Sequence, residues 1–157
     1  MNPQAAHETE LVYAPAEVVK TIAVVGAGPA GMSAAMVAAE RGHKVTLFDQ
    51  ANEVGGQLNM AKMVPGKEEF HGLVRWFGDM LALHGVEVCL GCRVEAGDLA
   101  AFDEVIVATG VLPRDPGLPV LGGHVVSYVD ILKGRAVAGE RVAVIGAGGI
   151  GFDVSEF

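Results

Sequence analysis

A run of β-branched residues that enters Gly-x-Gly-x-x-Gly is committed to a strand, a tight turn and a helix, and this chain contains that arrangement twice. Gly26, Gly28 and Gly31 stand in TIAVVGAGPAGM, and Gly146, Gly148 and Gly151 in RVAVIGAGGIGF. The first glycine permits the turn and the second leaves room for a pyrophosphate beside the backbone. The third lets helix and strand pack closely, while the helix that Pro29 opens offers the free N–H groups of Ala30 and its successors to phosphate oxygens. Two copies, at 26 and at 146, imply two dinucleotides, typically a flavin and a nicotinamide that exchange a hydride. Only six residues follow Gly151, too few to finish a helix and return a strand, so the expectation is a fragment of something larger.

Between the two glycine turns the pattern alternates strand and helix. TIAVV, a helix through PAGMSAAMVAAERG closed by Gly42, and KVTLFD make one βαβ unit. Residues 51–66 are expected as a loop marked by Gly55, Gly56, Pro65 and Gly66. A helix over about 67–84 carries Phe70, Leu73, Val74, Phe77, Met80 and Leu81 as one apolar stripe, with Glu68 and Glu69 at its start and Gly85 at its end. VEVCL and EVIVA (104–108) follow as further parallel strands, and RVAVI as the first strand of the second unit. The expected fold is α/β, an open doubly wound parallel sheet of Rossmann type, broken off at the start of a second dinucleotide-binding unit. Residues 1–20 read as a linker or arm, 21–134 as the first dinucleotide-binding domain, and 135–157 as the opening of the second. Residues 111–140, with Pro113, Pro116 and Pro119, form the crossing segment.

Composition narrows the partners. With 51% hydrophobic residues among 157, the chain can build a core. A net charge of −8 and a pI near 5.0 exclude a phosphate-rich nucleic-acid partner, which would require a basic surface. Residues 21–39 carry no charge, but Gly26, Gly28, Pro29 and Gly31 interrupt them, so strand, turn and helix explain the stretch better than a membrane span. No secretory pattern opens the chain, and a cytoplasmic location is the default. Cys89 and Cys92 form a Cys-x-x-Cys within VEVCLGCRV. On a strand they would point to opposite faces, unable to share a metal or close a disulfide without a turn, so they are read as incidental. No metal site is expected. His43, His71, His84 and His124 are read as surface or packing residues, no catalytic residue is assigned, and the chemistry would belong to the cofactor.

Asp49 ends the second strand 23 residues beyond Gly26. An acid there can accept hydrogen bonds from both ribose hydroxyls and would repel a 2′-phosphate, so FAD, ADP or NAD is expected at the first site rather than NADP. The run Glu53-Val54-Gly55-Gly56-Gln57 resembles the loop that wraps the flavin dinucleotide in two-dinucleotide reductases. Val105 to Gly110, ending in Ala108-Thr109-Gly110, resembles their second flavin motif.

GGQLNMAKMVPGKEEF, with VVGAGPAG before it and IGAGGIGFDVSEF after it, resembles the C-terminal FAD- and NAD(P)-binding part of the NADPH-dependent 2,4-dienoyl-CoA reductases. The wider group is the NADH:flavin oxidoreductases related to old yellow enzyme and trimethylamine dehydrogenase. The resemblance covers nearly the whole chain, including NPQAAHETE, which looks like the segment after the family's last iron-sulfur ligand. It implies a three-part enzyme: a barrel with FMN and the substrate site, a 4Fe-4S cluster, and this FAD and NADPH module. Electrons would pass from NADPH to FAD, through the cluster, and from FMN to a dienoyl-CoA of fatty acid β-oxidation. It further implies FAD contacts at Ala30 and Gly31, Asp49, Gln57, Lys67 and Val94, the last at the adenine.

Two other readings stay open: an ADP-holding structural module, as in trimethylamine dehydrogenase relatives, and the reductase subunit of a glutamate synthase-like enzyme. The partners expected are dinucleotides and the rest of the parent polypeptide. A fragment lacking its returning segment is expected to bind FAD weakly and to associate through exposed apolar surface.

Overall fold

The computed structural model describes residues 4–115 and 117–157; Met1 to Pro3 of the expected arm and Pro116 of the crossing segment lie outside them. Four parallel strands, β1 (Thr21–Val25), β2 (Lys44–Asp49), β3 (Glu87–Leu90) and β4 (Glu104–Val107), form one sheet in the order β3-β2-β1-β4. The order places β1 centrally and reverses direction between β1 and β4, which opens a crevice at the strand C-termini where Gly26 sits. Register is continuous across the sheet: Val24 lies between Leu47 and Ile106, and Phe48 lies beside Cys89.

Two helices cover one face. α1 (Pro29–Glu40) returns from β1 to β2, and after the four-residue α2 (Leu58–Ala61), α3 (Glu69–Leu83) returns to β3; α1 and α3 pack together. α1 has no charge before Glu40, and its alanines and Gly31 let it lie close to the sheet. Gly42, with φ of 96°, ends it as the N–H of His43 reaches the Ala38 carbonyl. The core is Ile22, Val24, Ala27, Met32, Ala35, Val45, Leu47, Phe77, Leu81 and Val86. Each large member that is fully buried, such as Leu47 or Leu81, contributes roughly 1.5–3 kcal/mol through removal from water. The stripe foreseen on α3 is realised at its centre, where Phe77 and Leu81 are buried and Leu73 is packed against the same cluster.

On the other face Phe102 meets Phe48 edge-on, ring centroids 5.9 Å apart, and Val105 and Val107 stay 40% and 72% exposed. Residues 4–20 contain no helix or strand, in keeping with an arm. They are tied down by Ala16 N–H to the Arg41 carbonyl and by Arg41 Nε to the Ala14 carbonyl, 3.0 Å.

Three expectations are corrected. The 51–66 loop contains α2, whose Met60, with the following Val64, closes a second small apolar cluster with Leu132. The crossing segment contains α4 (Tyr128–Leu132), capped by Ser127 Oγ accepting from Asp130 N–H. Most consequentially, 141–145 is not a strand: a strand exists only where neighbours complete its hydrogen bonds, and no described segment pairs with it. Ile145 is 80% exposed there. α5 (Gly149–Glu156) follows nonetheless.

Candidate dinucleotide site

The first glycine turn is built by backbone crowding. Gly26 has φ of 109° and its N–H donates to Phe48 O at 2.7 Å. A Cβ on Gly26 would collide with the Ala108 carbonyl oxygen, and one on Gly31 with the Gly26 carbonyl oxygen. The Ala108-Thr109-Gly110 end of β4 therefore lies directly over the turn, with Ala108 N–H on Val25 O at 2.8 Å. Gly28 is different: a Cβ there would meet nothing within 4 Å on its outer side. Gly28 caps α1 without any side-chain hydrogen bond, Pro29 occupies the first turn, and no acidic residue stands there. No side chain caps the first turn of α1, and an uncapped helix N-terminus of this kind can accept phosphate oxygens.

Asp49 closes the turn from the end of β2. One carboxylate oxygen accepts Ala27 N–H at 2.6 Å and the other Ala51 N–H at 2.8 Å. Each oxygen keeps a lone pair for a further donor such as a ribose hydroxyl. The flavin-type loop docks on the same turn through Gly55 N–H on Ala27 O, 2.8 Å. A Cβ on Gly56 would stand 2.9 Å from Gly28 Cα, and one on Gly55 2.7 Å from the Asn59 amide. Both glycines have positive φ, 117° and 53°, so the pair allows the close approach. Gln57 begins α2. Val94 lies half-buried beyond β3, whose end is joined to the Asp49 loop by Cys92 N–H on Asp49 O at 2.9 Å.

The structure thus brings Gly26, Gly28, Pro29, Ala30, Gly31, Asp49, Gly56, Ala108, Thr109 and Gly110 together at the C-terminal ends of β1, β2 and β4. Lys67 has another partner. Its ammonium meets Asp153 Oδ2 of α5 at 2.6 Å, beside a groove of about 140 Å³ lined by Gln57, Tyr128, Ile150 and Asp153. The second turn repeats the first locally. Gly146 has φ of 116°, Gly148 caps α5 with ψ of −179°, as Gly28 caps α1, and a Cβ on Gly151 would strike the Gly146 carbonyl oxygen. Among the described residues no counterpart of Asp49 or of the Gly55-Gly56 loop closes over it.

Ala27, Asn59 and Asp153 were not singled out from the sequence. Ala27 acts through its backbone, which no side chain announces. Asn59, whose amide donates to Val54 O at 2.8 Å, lies two residues after Gln57, and Asp153 two after Gly151, so position relative to the motifs was the available signal. Among the described residues no group of three or more metal-ligating side chains occurs, and no helix is long and apolar enough to cross a membrane.

A parallel 3-2-1-4 sheet with this turn, acid and loop defines a dinucleotide-binding α/β protein. The chain belongs to the pyridine nucleotide-disulphide oxidoreductase family, whose description matches residues 20–157. The FAD/NAD(P)-binding part of the old-yellow-enzyme-related NADH:flavin oxidoreductases is the region it resembles. It is 39% identical to an NADH oxidase of Thermoanaerobacter brockii over 100% of this chain and 25% of that protein. It is 37% identical to a cinnamate reductase of Clostridium sporogenes over 99% of this chain and 24% of that protein. A solved 2-naphthoyl-CoA reductase in complex with 2-naphthoyl-CoA superposes with a TM-score of 0.90 at 30% identity, over 99% of this chain and 24% of that one. The chain spans about a quarter of the length of these relatives.

Proposed function

We propose that the chain is the FAD-binding module of a flavin-dependent, NADPH-oxidising reductase of the 2,4-dienoyl-CoA reductase type, with the first turn of the NADPH site at Gly146, Gly148 and Gly151. The observation that carries this is the contrast between the two turns: the first is enclosed by β4, the Gly55-Gly56 loop and the Asp49 carboxylate, the second is not. Bound at the first turn, FAD would supply hydride acceptance and one-electron release. The chain's own residues bind and orient it. The α1 N-terminus faces the pyrophosphate, with Gly28 leaving it room, and Asp49 accepts from the ribose while holding Ala27 in place. Ala108 and Thr109 lie against the turn, while Gln57 lines the groove beside α5 and Lys67 pairs with Asp153 there.

Likeness to a reductase solved with an aryl-CoA thioester and to a cinnamate reductase supports an unsaturated acyl-CoA as substrate class. In this reading FMN, a 4Fe-4S cluster and the substrate site belong to parts of the protein outside this chain. The test is to denature the longer protein, identify the released nucleotides by mass, and follow NADPH oxidation with a 2,4-dienoyl-CoA. FAD release and dienoyl-dependent oxidation are expected. ADP alone, without NADPH oxidation, would replace this reading with the structural-module one.

A further inference from the structure

An ideal strand holds Cys89 and Cys92 on opposite faces, which rules out a disulfide unless a turn intervenes. The structure supplies that turn. β3 ends at Leu90, and Gly91 takes φ of 68°, the left-handed turn that the exclusion required to be absent. Both thiols are free, Cys89 half-buried on the face of the sheet that α1 and α3 leave open, Cys92 exposed.

We infer that Cys89 and Cys92 are a reversible dithiol/disulfide pair whose closure is coupled to the Asp49 loop. The coupling is direct. Gly91 N–H donates to Ala51 O at 2.8 Å and Cys92 N–H to Asp49 O at 2.9 Å, so the segment that must rotate to bring the sulfurs together is the one bonded to both ends of that loop. An extended i, i+3 pair is separated by about 10 Å, against roughly 4.4–6.8 Å between Cα atoms in a disulfide; Gly91, with φ of 68°, already breaks the extension, and closing the rest of the distance must strain its bond to Ala51 and that of Cys92 to Asp49.

The oxidant is a low-molecular-weight disulfide such as glutathione disulfide. The exposed Cys92 thiolate attacks it, forming a mixed disulfide and displacing one thiolate. The Cys89 thiolate then attacks Cys92 Sγ, forming the internal bond and displacing the second. Two protein thiols are oxidised, the small disulfide is reduced to two thiols, and the two protein protons pass to the leaving thiolates. Partial burial, with Glu87 and Cys92 nearby, holds the Cys89 thiol above its ordinary value, which assigns first attack to Cys92; the contribution of Cys92 vanishes once it is capped.

The test uses the full chain, incubated with glutathione disulfide, blocked with maleimide and weighed intact. Loss of two hydrogens with no adduct, reversed by dithiothreitol, is expected. Cys89→Ser should stop at a glutathione adduct on Cys92. Hydrogen exchange at Ala27 and Ala51, the two amides on the Asp49 carboxylate, should accelerate about tenfold on oxidation. A wild-type chain that stops at the adduct overturns the pair. A disulfide that leaves those amides unchanged overturns its coupling to Asp49. Neither readout involves a nucleotide, so failure here is distinct from failure of the proposed FAD site.

Discussion

Lys67 and Asp153, 86 positions apart in the chain, form an ion pair of 2.6 Å that joins the loop before α3 to the helix of the second glycine turn. With the cluster of Met60, Val64 and Leu132, against which Val154 packs, it is what seats α5 on the first unit. Both side chains are about one-third exposed, so the pair contributes only about 0.5–1 kcal/mol. Lys67→Ala or Asp153→Ala should speed hydrogen exchange in α5 a few-fold, and the charge swap Lys67→Asp with Asp153→Lys should restore it. Exchange unaltered in the single variants would show that the apolar cluster alone seats the helix.

Gly31→Ala should destabilise the fold by roughly 1–3 kcal/mol, because its Cβ strikes the Gly26 carbonyl oxygen in a packed turn. Gly28→Ala meets no neighbour, and its backbone φ of −75° suits any residue. It should leave the urea midpoint nearly unchanged while weakening dinucleotide binding. Comparing the denaturation midpoint with titration by ADP and FAD separates the two; equal loss of stability in both variants would contradict the assignment of Gly28 to the ligand.

Asp49→Asn leaves the side chain one oxygen for the two N–H groups of Ala27 and Ala51 and removes a charge-assisted bond, a loss of about 1–3 kcal/mol. Nucleotide affinity should fall at least tenfold, a penalty shared by ADP and FAD because the ribose is common to both. A variant that lost FAD but kept ADP would place the acid elsewhere in the site.

Two exposed groups at the N-terminal edge of the sheet give opposite pH dependences. The Asp103 carboxyl lies below its ordinary 3.8, chiefly through Thr21 N–H and then the Thr21 hydroxyl. Its contribution is fully present above 3.8 and is lost as pH falls through the lowered folded value. Lys20 is raised above 10.5 by its hydrogen bond to Glu104, so its contribution is fully present below 10.5 and disappears as pH rises through the folded value. Urea midpoints across a pH series should show Asp103→Asn flattening chiefly the acid limb and Lys20→Met chiefly the alkaline limb, each with a smaller effect on the other because the two charges attract.

Much of this molecule is written locally. The β-branched runs of β1 and β4, the uncharged alanine-rich helix that begins at Pro29 and the stripe through Phe77 and Leu81 need only near neighbours in sequence to declare themselves. The same holds for both glycine turns: Gly26 and Gly146 adopt φ values of 109° and 116° although one follows a paired strand and the other does not, and in each turn a Cβ on the third glycine, Gly31 or Gly151, would strike the first glycine's carbonyl oxygen, a clash between the turn and its own helix. Asp49 was legible because its distance from Gly26 fixes it at the end of β2.

What the sequence could not decide depended on partners brought from far away. RVAVI has the composition of a strand, yet a strand requires a neighbour to pair its N–H and carbonyl groups, and none of the described residues pairs with it. Lys67 was legible as a charge, but only the packing of α5 shows that Asp153 stands against it. The Cys-x-x-Cys was dismissed on the period of an ideal strand, and whether the strand continued through Gly91 was settled by its hydrogen bonds to Ala51 and Asp49 in a neighbouring loop. The sequence alone determined the paired glycine turns and the class of fold they open. Tertiary structure decided which turn is enclosed, because enclosure is made by β4, Asp49 and the Gly55-Gly56 loop, segments that meet the turn only once the sheet has formed.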